Sequence, residues 1–68
     1  MRSFYTNPSG CTADLCQMTG SDETRLVIHD ASGHEILREF YPYWHIAIEV
    51  LRSTGNGWIN DLTHEPLT

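Results

Sequence analysis

Lysine is missing from this 68-residue chain: four arginines are its only strong cations, set against nine carboxylates, for a net charge of −5. Each phosphate contact needs a cation, so this balance disfavours direct binding of DNA or RNA. Long apolar runs are also lacking. Nothing approaches the roughly 20 residues that a membrane span needs, and the opening MRSFYTNPSG has no hydrophobic signal core, so a cytoplasmic protein away from membranes is expected. Cysteine is limited to Cys11 and Cys16, which are expected as free thiols without evidence of export. The chain has no glycine-rich phosphate loop and no nucleophile motif, so no catalytic residues are expected and the protein is not read as an enzyme. Glu35 and Glu39 would share a strand face, a spacing that suits a solvated edge better than an acid/base pair.

Tyr41 to Leu62 carries the clearest structural signal. Pro42 suits a first helical turn, where its missing N–H is no loss, and Gly55 stands where a left-handed residue ends a helix. At about 100° per residue, Tyr43, Trp44, Ile46, Ala47, Ile48, Val50 and Leu51 fill an arc of roughly 200°, wider than one sheet face requires. The surplus flank is either covered by loops or open to a partner or to a second copy. A homodimer would supplement the thin core of so short a chain.

The remainder reads as sheet. Arg2 to Thr6 is an expected strand, ended by the turn cluster Asn7 to Gly10. Residues 7–23 read as a long connection carrying at most one helical turn at Thr12 to Gln17, with Thr12 as its cap. Two β-rich runs around Asp30, Ala31, Ser32 and Gly33 form a hairpin, with Leu26, Ile28, Ile36 and Phe40 as the sheet-side core. After Gly55, Asn56 and Gly57 a last strand places Trp58 and Leu62 on one face, and residues 63–68 fray. The expected fold is α+β over a single domain, 1–68: a four-stranded, largely antiparallel sheet with one helix on one face.

Cys11, Cys16, His29 and His34 follow the order C-x4-C-x12-H-x4-H with Leu26 three residues before the first histidine. This spacing resembles the C2H2 zinc-finger family over Cys11 to His34, and the resemblance implies a Zn²⁺ site with two thiolates from a hairpin and two imidazoles from a helix. The pattern departs from the family at three points. Val27, Ile28 and the DASG turn resist the required helix, Gly20 occupies the aromatic core position, and the helix would be acidic. Incidental spacing is therefore the preferred reading, with zinc as the alternative and no cofactor otherwise expected.

An acidic module of this size is expected to work by binding another protein. Asp22, Glu23, Asp30, Glu35 and Glu39 would face a basic, nucleic-acid-binding surface, and Tyr41, Tyr43 and Ile46 would add short-range contact. By composition the comparison is with small phage and mobile-element inhibitors of the anti-CRISPR or anti-restriction type. A structural subunit associating through the helix flank is the other alternative.

Overall fold

The computed structural model describes residues 1–55 and 57–67; Asn56, within the expected turn before the last strand, and Thr68, in the expected tail, lie outside the described residues. Among these, five strands and one helix occur in the order β1 (Arg2–Thr6), β2 (Thr12–Gln17), β3 (Thr24–His29), β4 (Glu35–Tyr41), α1 (Trp44–Ser53) and β5 (Ile59–Asn60). The sheet runs β4-β3-β2-β1-β5 with every neighbouring pair antiparallel. The α+β class and the antiparallel sheet match the expectation, but there are five strands instead of four.

The extra strand is β2, in the stretch expected as a connection. Its residues alternate: Ala13 and Leu15 are buried, while Thr12, Asp14 and Cys16 point to the other face. Leu15 stands opposite Leu26, and Ala13 opposite Ile28, so β2 is the central strand on which the core is assembled. That pairing excludes a helical turn at Thr12 to Gln17.

On the helix side of the sheet Tyr5, Ala13, Leu15, Leu26 and Ile28 meet Ala47, Leu51 and Trp58, with Trp44, Ile48 and Val50 packed at the margin. The other two expected core residues do not join them: Ile36 is 60% and Phe40 52% exposed. The cause is a register irregularity between Ile28 and His29 that sets Leu37 against Ile28 and Glu35 against His29. Ile36 is thus the extra residue of a bulge, Phe40 faces away from the helix, and Leu37 takes the inward position.

The helix begins at Trp44, with Pro42 ahead of it and Tyr43 as an N-cap that offers no capping side chain. Gly55 ends it at φ +67°, the left-handed conformation that favours glycine. Gly10 also has a positive φ, +85°, and an added Cβ would lie 3.0 Å from the Ala31 Cβ, so the β1–β2 and β3–β4 turns touch there. No helix among the described residues is long and apolar enough to cross a membrane.

The last strand is shorter than expected. The Asn60 side chain accepts hydrogen bonds from the backbone N–H groups of Leu62 and Thr63 at 2.8 and 2.9 Å, which turns the chain and leaves Leu62 88% exposed. Residues 63–67 then fold back instead of fraying: the Asn60 N–H donates to the Glu65 carbonyl at 2.9 Å, and Leu67 N–H to that of Trp58 at 2.8 Å.

Candidate interaction surface

Strand register divides the eight residues expected to bind a partner. Tyr41 stands opposite Thr24, the first residue of β3, immediately after the exposed Asp22 and Glu23. Glu39 is two residues back on the same face, and Tyr43 and Ile46 follow as the chain enters the helix. Five of the eight therefore gather at one end of the sheet, and Glu39 stands further in, opposite Leu26. Asp30 and Glu35 belong to the opposite end, roughly 20 Å away at about 3.3 Å per strand residue. No single hairpin face presents all five acids.

The two groups also differ in chemistry. Asp22, Glu23 and Glu39 have no salt-bridge partner among the described residues. Burial, with Glu39 nearby, raises the Tyr41 phenol pKa. Tyr43 is exposed and stacks on His45 with ring centroids 5.6 Å apart. Ile46, expected on the open flank, is half-buried and outside the core cluster.

Asp30, by contrast, is used within its own turn. Its Oδ1 accepts from the Ser32 N–H, the Ser32 hydroxyl and the His34 N–H at 2.9, 2.6 and 3.0 Å. The Ser32 hydroxyl bond, followed by the His34 backbone bond, holds the Asp30 carboxyl below the usual carboxylate range. Arg38 does the same for Glu35, donating at 2.7 Å. With both folded pKa values depressed, the stability these groups contribute is fully present above the ordinary carboxylate range and is lost as pH falls from that range down through the lower folded values. Asp30→Ala is expected to remove part of that acid-side slope in a pH series of urea unfolding, leaving the slope above pH ~6 unchanged. An unaltered acid-side slope would show that the turn does not depend on the charge.

The sheet face turned away from the helix was not anticipated. Three rungs cross it: Arg2, Cys16, Arg25 and Phe40; then Phe4, Asp14, Val27 and Arg38; then Thr6, Thr12, His29 and Glu35. Asp14 accepts from Nε and Nη2 of Arg2, at 3.1 and 2.7 Å, with Arg25 at 3.6 Å. Arg2 also lies over the Phe4 ring, 4.9 Å from its centroid. At the β1 margin Asp61 accepts from the Thr6 hydroxyl at 2.8 Å. Asp61 borders a depression of about 260 Å³ with Phe4, Thr12, Asp14 and His29.

Three arginines are thus matched by Asp14, Glu35 and Asp61 on this face. The chain's net charge of −5 consequently resides on the rim and the helix side, where Asp22, Glu23, Asp30, Glu39, Glu49 and Glu65 outnumber Arg52. The sequence carried no local signal for this arrangement, because Arg2, Arg25 and Arg38 stand singly on three strands and only pairing brings them together.

The residues of the zinc-finger resemblance are not brought together. Cys16 stands opposite Arg25 on the exposed face, while Cys11 precedes β2 and packs against the core, roughly 16 Å away along an extended chain. Among the described residues no three His, Cys, Asp or Glu side chains form a group that could hold a metal. In comparisons with known proteins no family model, curated protein or solved structure matches the chain.

Proposed function

We propose that this protein is a stoichiometric binding module that docks its acidic rim on a basic, nucleic-acid-binding surface of another protein and occludes it. The observation that carries this reading is that Asp22 and Glu23, at one end of the sheet beside Tyr41 and Tyr43, and Glu39, two residues back along β4 on the face of Tyr41, have no salt-bridge partners among the described residues. Carboxylates spaced along a rim can stand in for phosphates in a basic groove, and long-range attraction speeds the encounter. Exposed tyrosine adds contact area with little loss of side-chain freedom, which suits it to anchor a charged interface. This mode of action is that of small phage and mobile-element inhibitors such as anti-CRISPR and anti-restriction proteins, a likeness of mechanism and composition.

The test is titration calorimetry against a panel of lysine- and arginine-rich DNA-binding domains, with duplex DNA as competitor. Binding is expected to weaken as salt rises and to be displaced by DNA. Replacing Asp22 and Glu23 with Ser and Glu39 with Gln together is expected to weaken it at least ~10-fold, while Asp30→Asn has little effect. Salt-independent affinity, or a larger effect at Asp30 than at the three-residue cluster, would overturn the proposed docking face.

A further inference from the structure

We infer that the free edge of β4 binds an extended segment of another protein by adding it to the sheet as a further strand, and that this segment carries a basic residue opposite Glu39. The rim docks by long-range charge, whereas this contact is made by backbone and does not rest on that reading. Among the described residues β4 pairs with β3 alone. The other margin of the sheet is partly closed, since β5 pairs with Tyr5 and Thr6 and the Asp61 N–H donates to the Phe4 carbonyl at 2.9 Å.

The ladder bonds decide which backbone groups of β4 face outward. Hydrogen-bonded and non-hydrogen-bonded pairs alternate along antiparallel strands. The Met18 N–H donates to the Glu23 carbonyl at 2.8 Å before β3, and the Asp30 N–H to the His34 carbonyl at 2.8 Å after it. Both bonds set Thr24, Leu26 and Ile28 to bond towards β4, so their partners Tyr41, Glu39 and Leu37 bond inward. Arg38 and Phe40 then turn N–H and C=O away from the sheet, two donors and two acceptors at the spacing of an extended chain. From Leu37 to Tyr41 this edge runs about 16 Å, bounded by the Ile36 bulge and by Pro42.

The side chains beside the edge set the chemistry of the occupant. Residues added opposite Arg38 and Phe40 share the open face, where Ile36 and Phe40 are 60% and 52% exposed and Arg38 is held by Glu35 at 2.7 Å. The residue between them shares the other face with Glu39, which has no salt-bridge partner among the described residues, so lysine or arginine fits there. A second copy of this chain fits poorly, because a two-fold antiparallel pairing of β4 edges sets one residue against itself. Centred on Arg38 or Glu39 it opposes like charges, and centred on Leu37 it brings Glu35 to Glu39. Centred on Phe40 it sets Arg38 against Pro42, which has no N–H to donate. The charges that keep like edges apart thus admit a basic strand.

Titration calorimetry and amide hydrogen exchange of the full chain, with a short end-capped peptide of alternating valine and lysine, test the inference. At saturating peptide the Arg38 and Phe40 amides are expected to gain protection at least ~10-fold, and the Leu37 and Glu39 amides, already bonded to β3, much less. Methylating the valine nitrogens of the peptide, which keeps every charge, should weaken binding at least ~10-fold, as should glutamate in place of lysine. On the protein, Arg38→Pro removes an outward N–H and no ladder bond, and should act likewise. Arg38→Ala, its side-chain control, should change binding less than ~3-fold, with near-UV circular dichroism to confirm that both variants fold. Equal binding of the methylated peptide, or unchanged exchange at Arg38 and Phe40, would overturn the inference and leave the charge docking standing. Equal binding of the glutamate peptide would overturn the basic residue opposite Glu39.

Discussion

Leu26→Ala is expected to lower the unfolding free energy by about 3 kcal/mol and the melting temperature by roughly 15 °C. Leu26 is fully buried, faces the equally buried Leu15 across the β2–β3 ladder, and lies beneath the helix residues Ala47 and Leu51. Removing most of its side chain takes away transfer free energy and leaves a cavity that two paired strands cannot easily collapse. For a domain whose total stability is of the order of 3 to 10 kcal/mol, the loss threatens folding itself. Urea unfolding followed by far-UV circular dichroism provides the measurement. Leu15→Ala should cost a similar amount, and because the two side chains share one cavity the double variant should depart from additivity by at least ~0.5 kcal/mol. Phe40→Ala, on the open face of the sheet, should stay within about 1 kcal/mol of wild type. A Leu26→Ala loss below ~1 kcal/mol would mean that the helix does not seal this part of the sheet.

The contrast between Leu26 and Phe40 marks how much of the fold was legible in the sequence. Local signals carried the first strand, the Asp30 to Gly33 hairpin and the helix, because turn residues, β-branched side chains and a 3.6-residue period act within a few neighbours. The inward direction of Leu26 and Ile28 followed from alternation alone. Phe40 failed because the bulge at Ile36 is set by pairing with β3, and a one-residue slip exchanges the two faces. The second strand failed for a related reason. Ala13 and Asp14 are poor strand formers, and the half-apolar Cys16 obscured the alternation of Ala13 and Leu15. What suits Asp14 to a sheet is Arg2 on one neighbouring strand and Arg25 on the other, contacts that sequence spacing does not reveal.

The candidate surfaces follow the same division. Composition alone gave an acidic protein without lysine, and the preference for a protein partner follows from that count. The grouping of the acids did not, because Asp22 and Asp30 are separated by the length of β3, and only pairing of β4 with β3 places Glu39 opposite Leu26 and Tyr41 opposite Thr24. The neutral open face was hidden entirely: its three arginines and three carboxylates come from different strands and the β5 margin, with only Arg38 and Glu35 close in sequence.

Trp58→Ala is expected to cost about 3 to 5 kcal/mol, matching or exceeding the loss at Leu26. Trp58 is 2% exposed, packs in the core and donates its indole N–H to the Thr54 hydroxyl at 2.7 Å, which in turn donates to the Leu51 carbonyl at 2.7 Å. One side chain therefore joins the last turn of the helix to the segment leading into β5. The same residue's carbonyl accepts from the Leu67 N–H, so the returning residues 63–67 depend on its position as well. Trp58→Phe keeps most of the ring but loses the indole bond. Thr54 still has the Leu51 carbonyl as partner, so this change is expected to cost only about 1 to 2 kcal/mol. Urea unfolding by circular dichroism separates the two variants, and native-state hydrogen exchange gives the local readout: the Leu67 amide should lose protection in Trp58→Ala more than in Trp58→Phe. Trp44 is only half-buried at the margin of the core, so Trp44→Ala should cost less than Trp58→Ala. Equal losses at the two tryptophans, with Leu67 protection unchanged, would show that the C-terminal segment is held by something other than this indole.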